Sequence, residues 1–221
     1  DLVRSRGLGD VYKRQLQNED KRCFAKSKKK HRCKGENTMR KIYILLTKSD
    51  TWVSHLIKLV TNDTYTHASI SFEPDLQPMY SFSRKFVNLP LPAGLRVEPL
   101  NKGFYKKYDY IPCALYELNV TNQVYDTAKM EVERMMKDAA HCPFNLVGLL
   151  LCRMQIPFHR ENQYFCSEFV SEVLSRSHAL AMPKVPSLMR PNDYAHLSQL
   201  RCRFEGRLNE LLARKELSLA A

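Results

Sequence analysis

The sequence predicts an α+β domain in which helices pack against one antiparallel sheet of about five strands. Two observations carry this prediction. Apolar or alternating segments that are typical of strands dominate between residues 40 and 120, and segments with helical spacing of apolar residues dominate after residue 120. Parallel α/β folds alternate strands and helices, so a run of strands followed by helices favours the α+β class.

The first predicted strand and helix open the domain. Residues 40–47 (RKIYILLT) form an apolar run rich in β-formers, which is typical of a buried strand. Residues 49–63 place Trp52, Leu56 and Leu59 on one side of a predicted helix that Ser49 or Asp50 can cap.

Four further segments supply the rest of the predicted sheet. Residues 66–72 (THASISF) and 79–85 (MYSFSRK) alternate apolar and polar residues and flank the turn-forming EPDLQP, which predicts an antiparallel hairpin. A loop over residues 88–103 contains a short predicted strand at 95–98, and residues 113–120 (CALYELNV) form another.

Predicted helices fill the remainder of the chain. Residues 121–140 are the clearest case, with Met135 and Met136 on a core-facing stripe. Residues 144–154 (FNLVGLLLCRM) predict a buried helix, because they are too short for the roughly 20 residues of a membrane span. Residues 190–217 predict a last helix with Asn192 as its cap, so that residues 39–200 form the domain and 201–221 a helical extension.

Composition narrows the class of protein. The chain has 221 residues, of which 44% are hydrophobic and 26% charged, as in globular proteins. Seven cysteines without any CxxC spacing argue against a disulfide framework and for a reducing compartment. With no signal-like segment and no membrane span in the sequence, we expect a cytoplasmic protein.

Most of the positive charge lies at the N-terminus. The chain carries a net charge of +12, and residues 1–40, with 13 basic and 5 acidic residues, contribute +8 of it. A run such as KRCFAKSKKKHRCK (21–34) is typical of a disordered basic tail, and nucleic acid is an expected partner only through that tail.

The start of the chain raises a separate expectation. Residues 1–15 (DLVRSRGLGDVYKRQ) resemble a translated sequencing adapter, and residues 1–38 show no periodic pattern of apolar residues. Because Met39 directly precedes the first predicted strand, we expect the natural protein to begin there. Residues 1–38 would then be an artefact of sequence assembly.

Cys166 is the first candidate for chemistry. It opens the helix predicted within ENQYFCSEFVSEVL (161–174), in which Phe169 and Val170 belong to the apolar stripe and Ser167 and Glu168 face outward. Free backbone N–H groups and the helix dipole favour a thiolate at such a position and can hold a developing oxyanion. The alternative is a cysteine that packs as a small apolar residue.

A thiolate nucleophile needs a base, and His67 is the best placed histidine. It opens the strand THASISF with Ala68 and Ile70 facing the core, so its imidazole lies on the other face near the strand end. Three side chains remain open as its orienting partner: Ser81 and Ser83 on the next strand, and Glu117 on the strand 113–120.

Three alternative functions compete with catalysis. A binding domain would bury Cys166 away from His67. A structural zinc site could use His31 with Cys33, or Cys142 with Cys152 and His159, although the spacing is not that of known zinc motifs. Nucleic-acid binding depends on the basic tail.

The order and spacing of two motifs resemble a known family. YTHASISF is followed, 99 residues from His67 to Cys166, by YFCSEFVSEVL. This combination resembles the circularly permuted papain-like cysteine peptidases and amidases of the NlpC superfamily, in particular the YiiX-like branch. The segment VPSLMRPNDYAHL (185–197) is also similar to the segment after the cysteine helix in that branch.

The resemblance implies a fold, a site and a reaction. It implies the permuted NlpC-type topology, with Cys166 as nucleophile, His67 as base and Ser81 or Ser83 in the third position, where many members carry a stronger partner. Tyr164, Phe165 and Ser167 would form the oxyanion and substrate pocket. The family implies no metal or organic cofactor. The substrate would be a peptide, an isopeptide, or an acyl amide or ester, which is hydrolysed or whose acyl group is transferred.

Overall fold

Six antiparallel strands form one sheet with the order β4-β3-β2-β1-β5-β6. The computed structural model describes residues 39–48, 63–84, 93–100, 105 and 110–220. The strands are β1 (Met39–Thr47), β2 (His67–Ser71), β3 (Met79–Arg84), β4 (Ala93–Glu98), β5 (Pro112–Thr121) and β6 (Arg201–Arg207). The α+β class is therefore confirmed, with one strand more than predicted.

Four α-helices lie among the described residues. They are α1 (Asn122–Lys137), α2 (Leu146–Arg153), α3 (Cys166–Arg176) and α4 (Leu208–Ala220), and short 3₁₀ turns occupy Ala139–His141, Pro186–Leu188 and Pro191–His196. None of these helices is both long and apolar enough to cross a bilayer. The helix predicted for residues 49–63 and the basic tail 1–38 fall almost entirely outside the described residues.

The predicted hairpin places the candidate base. β2 pairs with β3 through Ile70 opposite Tyr80 and Ser71 opposite Met79, and β2 pairs with β1 so that His67 lies opposite Thr47. Ala68 and Ile70 are fully buried on the face that carries the larger core. His67 therefore lies at the start of a strand held on both sides, as the alternating pattern predicted.

The larger core fills the space between the sheet and the helices α1 and α3. Alternate residues of β1, β2 and β5 meet the apolar sides of these helices there. On α1, Val132 and Met135 are buried and Met136 packs partly against the same core, so the predicted methionine stripe is confirmed.

A second, smaller core covers the opposite face of the sheet. Leu208 and Leu211 of α4 pack there with Tyr43, Leu45 and Leu115. Helices therefore pack against both faces of the sheet, because the apolar residues of odd number on β1 and β5 also need cover.

The predicted last helix is wrong over most of its length. Residues 201–207 form β6, which pairs with β5 with an irregularity between Leu115 and Tyr116, and the helix begins only at Leu208. Residues 201–207 therefore belong to the sheet and α4 packs on its second core, so the predicted helical extension 201–221 is wrong for residues 201–207. Asn192 caps no α-helix; its Oδ1 accepts a hydrogen bond from the Tyr65 N–H at 3.2 Å.

The apolar segment 144–154 forms α2 but is only half buried. Asn145 caps the helix by accepting the Gly148 N–H at 2.8 Å. A Cβ at position 148 would lie 2.2 Å from Asn145 Nδ2, so this close cap requires glycine. Leu149 and Cys152 are buried, whereas Leu146, Val147 and Leu150 are exposed, which corrects the prediction of a buried helix.

Candidate active site

Cys166 is the first residue of the buried helix α3. Phe165 precedes the helix in extended conformation, and its N–H donates to the Glu168 carboxylate, which fixes the first turn. The helix therefore begins at the cysteine. Cys166 itself is 7% exposed.

The predicted outward face of α3 is buried. Ser167, Glu168 and Ser171 are fully buried. Tyr194 in that turn donates to the Ser167 carbonyl at 2.8 Å and shares a 2.7 Å hydrogen bond with the Ser171 hydroxyl. The serines satisfy internal hydrogen bonds here instead of facing water.

Cys166 and His67 are in hydrogen-bond contact. Burial alone would raise the pKa of the Cys166 thiol, but the charge and hydrogen bond of His67 lower it, together with the backbone N–H groups of Ala68 and Ser167. The net result is a cysteine pKa below its ordinary value, which favours the thiolate.

Glu98 is the second partner of the imidazole. Its carboxylate oxygens are 3.0 and 3.2 Å from His67 Nε2. Burial alone would lower the pKa of His67, but the charges of Glu98 and Cys166 and the hydrogen bonds to both raise it well above its ordinary value. An imidazolium between two anionic groups is therefore the stable form.

Other donors hold Glu98 as an anion. Tyr105 donates its hydroxyl at 3.2 Å, and Ser83 donates a further hydrogen bond. Burial alone would raise the pKa of Glu98, but the charge of His67 and the hydrogen bonds from His67, Ser83 and Tyr105 lower it. The carboxylate remains ionised although the residue is only 6% exposed.

The three predicted orienting residues do not contact His67 in the described structure. Ser81 donates to the Ala68 carbonyl at 2.7 Å. Glu117 lies 3.2 Å from Lys41 Nζ and 3.2 Å from Arg203 Nε, so its carboxylate is engaged elsewhere. Ser83 donates a hydrogen bond to Glu98 and therefore affects His67 only indirectly.

Glu98 was missed by sequence reasoning. It is the last residue of the short strand predicted at 95–98. This strand lies within a segment that contains several prolines and a glycine, a composition that predicts a loop. A carboxylate at the end of a strand was the available signal, but the order of β3 and β4 in the sheet had to be known to use it.

The predicted pocket residues are part of the framework rather than an open pocket. The side chains of Tyr164 and Phe165 are buried, with Phe165 packed on Leu149 and Cys152 of α2. Ser167 contributes its backbone N–H to Cys166, and its buried hydroxyl has no hydrogen-bond partner in the described part of the chain.

The described residues form no metal centre. They contain no group of three or more histidine, cysteine, aspartate or glutamate side chains that could hold an ion. The zinc alternative with Cys142, Cys152 and His159 fails because Cys142 and Cys152 belong to different apolar clusters and His159 contacts Glu168. His31 and Cys33 lie outside the described residues.

Comparisons of the chain with models of known protein families, with curated proteins and with solved structures find no match. The resemblance to the permuted NlpC-type enzymes therefore stays a prediction that depends on the two motifs.

Proposed function

We propose that the protein is a cysteine-dependent hydrolase that cleaves an amide or ester bond through the Cys166 thiolate. The observation that carries this proposal is the position of His67, which interacts with both Cys166 and the Glu98 carboxylate. A nucleophile, its base and an orienting anion in that order are the parts that covalent acyl transfer requires.

The proposed reaction has two halves. The thiolate attacks the carbonyl carbon, a C–S bond forms, and the His67 imidazolium gives its proton to the leaving amine or alcohol as the C–N or C–O bond breaks. Neutral His67 then takes a proton from water, whose hydroxide attacks the thioester and releases the acid. An acceptor other than water would make the same site a transferase.

The start of α3 would stabilise the tetrahedral intermediate. The Ser167 N–H already points at Cys166, and the N–H groups of the first helical turn have no partner within the helix. The unpartnered Ser167 hydroxyl is a further donor beside the nucleophile. Because burial strengthens these dipoles, a developing oxyanion is favoured there.

The first test is the pH dependence of Cys166 alkylation by iodoacetamide, followed by peptide mass mapping. A depressed thiol pKa predicts a plateau of reactivity that extends well below the free-cysteine value of about pH 8.5. Replacing His67 with alanine or glutamine removes the positive charge beside the thiol. The pH at which the alkylation rate reaches its plateau should therefore rise, and the rate at neutral pH should fall about tenfold or more.

The exposed Cys202 gives an internal reference in every sample, because its side chain lies on the edge strand β6. A Cys166 that reacts only above about pH 8.5, or that is unaffected by both His67 variants, would contradict the proposal. The cysteine would then be a core residue and the domain a binding module.

A further inference from the structure

Three consecutive residues of the 3₁₀ turn Pro191–His196, which we call the 191–196 turn, are bonded to the chain around the candidate site. Asn192 and Asp193 act on the segment that leads into β2, and Tyr194 acts on the first turn of α3. Since β2 begins with the candidate base and α3 with the candidate nucleophile, one short element is tied to both.

Asn192 holds the backbone directly before the histidine. Its Oδ1 accepts the N–H of Tyr65, two residues before His67, at 3.2 Å. The next N–H, that of Thr66, donates to the Thr47 carbonyl on β1 at 3.0 Å. Tyr65 and Thr66 are both buried, so each of these backbone groups needs its partner within the protein. Two successive bonds therefore fix the chain where it enters β2.

An ionic network makes the second tie to the same segment. The Asp193 carboxylate accepts the Arg190 N–H at 2.9 Å and lies 3.6 Å from its guanidinium. That guanidinium is also 3.6 Å from the carboxylate of Asp63, four residues before His67, and Arg153 of α2 pairs with the other oxygen of Asp63. The side chains of Asp63 and Arg153 are only 8% and 6% exposed, so water screens their attraction less than it screens a surface ion pair.

Tyr194 holds the backbone directly after the cysteine. Its hydroxyl donates to the Ser167 carbonyl at 2.8 Å and shares a 2.7 Å hydrogen bond with Ser171 one turn further along α3. The N–H of the same Ser167 donates to Cys166. Tyr194 is fully buried, so its ring has little freedom to move away from α3.

We propose that the 191–196 turn positions the candidate base against the candidate nucleophile, with Asn192 and Tyr194 as its positioning residues. Asn192 sets the place of the segment before His67, and Tyr194 sets that of the peptide after Cys166. The charge interaction and the hydrogen bond between the pair weaken with distance, so a small displacement of either segment reduces their coupling. The inference rests on the proposed function, since it assigns these residues to the same site.

The experiment measures the pH dependence of Cys166 alkylation by iodoacetamide in the full chain. Asn192→Ala removes the oxygen that accepts the Tyr65 N–H, so the pH midpoint of alkylation should rise and the rate at neutral pH should fall at least about fivefold. Tyr194→Phe acts on the other segment and should shift the midpoint in the same direction. Circular dichroism shows that each variant is folded at the temperature of the measurement, and the second variant provides the test if the first does not fold.

Two further variants separate positioning from a general loss of stability. Asn192→Asp keeps an oxygen acceptor for the Tyr65 N–H, so its rate at neutral pH should stay within about twofold of wild type. Asn209→Ala is the matched control, because Asn209 Oδ1 also accepts a backbone N–H, that of Glu210 at 2.9 Å on α4. Its rate should likewise stay within about twofold. A purely structural role of Asn192 would lower the urea midpoint without moving the pH midpoint of alkylation.

A low wild-type midpoint that neither Asn192→Ala nor Tyr194→Phe shifts would overturn the positioning role and leave the proposed function standing. Equal shifts in Asn192→Ala and Asn209→Ala would overturn it as well. A wild-type Cys166 that reacts only above about pH 8.5 would overturn both proposals, because no coupled pair would exist. A low midpoint that both variants raise, without any Cys166-dependent cleavage of p-nitrophenyl acetate, would support the positioning role and count against the hydrolase function alone.

Discussion

At the scale of single residues, Glu98 decides how the candidate site is charged. Its carboxylate contacts His67 Nε2 and accepts hydrogen bonds from Ser83 and Tyr105. A buried anion with several donors keeps its charge, and that charge holds a proton on the imidazole. The proton on His67 in turn favours the Cys166 thiolate, so the three groups titrate as one unit.

Glu98→Gln tests this coupling, because glutamine keeps the size and the hydrogen-bonding capacity but removes the charge. We expect the pKa of Cys166 to rise toward its free value and alkylation at neutral pH to slow by about tenfold, the effect of one pKa unit. The measurement is the pH profile of Cys166 alkylation, with intact folding checked by circular dichroism.

Glu117→Gln is the control for that experiment. Glu117 is a glutamate of similar burial, but its partners are Lys41 and Arg203. Its replacement by glutamine should not change the pH dependence of Cys166 alkylation. If the two glutamine variants shift the profile equally, Glu98 has no special role beside His67.

The sequence predicted the pair of residues at the centre of the candidate site, His67 and Cys166, but not the residue that contacts His67, Glu98. His67 and Cys166 could be found because each has a local signal, a histidine at a strand start and a cysteine at a helix start. Glu98 has no such signal, since its contact with His67 depends on the packing of three strands. Ser81 had the right alternation, but the nearby Ala68 carbonyl is its partner.

At the scale of elements, the helix α3 differs most from its sequence pattern. Serines and glutamates at regular spacing predict a solvated side, yet that side is covered by Tyr194 and by the chain before the helix. His159 Nδ1 contacts Glu168 at 3.2 Å and Arg176 Nε contacts Glu172 at 2.8 Å. Partners outside the helix, His159 for Glu168 and Tyr194 for Ser171, make these polar residues compatible with burial, whereas Glu172 pairs with Arg176 one turn along the same helix.

Among these contacts, the hydrogen bond between the hydroxyls of Tyr194 and Ser171 is the shortest at 2.7 Å. A double-mutant cycle measures the interaction energy between the two side chains. Tyr194→Phe removes the hydroxyl that bonds Ser171 and the Ser167 carbonyl, so we expect a loss of about 1–3 kcal/mol in the free energy of unfolding. Ser171→Ala should cost less, because the tyrosine keeps its bond to the carbonyl.

The double variant should lose about 0.5–1 kcal/mol less than the sum of the single losses, because both remove the same hydrogen bond. Urea unfolding of the four proteins gives these free energies. Tyr110→Phe serves as control. Because Tyr110 is exposed, loss of its hydroxyl should change the free energy of unfolding by no more than about 0.5 kcal/mol. Strict additivity in the cycle would show that the two hydroxyls do not interact.

At the scale of the whole molecule, the sheet is a central layer with a core on each face. The larger core lies under α1 and α3, and the smaller one under α4. Tyr105 connects the smaller core to the site, because it packs partly against that core while its hydroxyl donates to Glu98. The chain after residue 200 thus supports the same sheet that carries the candidate site.

The second core could not be predicted, because the sequence pattern of residues 201–207 gives only a weak strand signal and predicted a helix instead. Residues 201–207 (RCRFEGR) carry four charges and one large apolar side chain, Phe204, which is a weak strand signal. They form β6 because β5 offers a free edge and Phe204 reaches the small core. Long-range pairing of this kind is decided by the sheet and not by local preference.

Leu211→Ala tests whether α4 is part of the folded unit. Leu211 is buried against the sheet face that carries Tyr43 and Leu115, so truncation to alanine leaves a cavity in the smaller core. We expect the free energy of unfolding to fall by about 2–4 kcal/mol. Leu217→Ala removes the same atoms from the same helix at a position 73% exposed, and should change it by no more than about 0.5 kcal/mol. Urea unfolding followed by circular dichroism gives both values. Similar small losses for the two variants would mean that α4 adds little to stability and that the sheet does not depend on its second core.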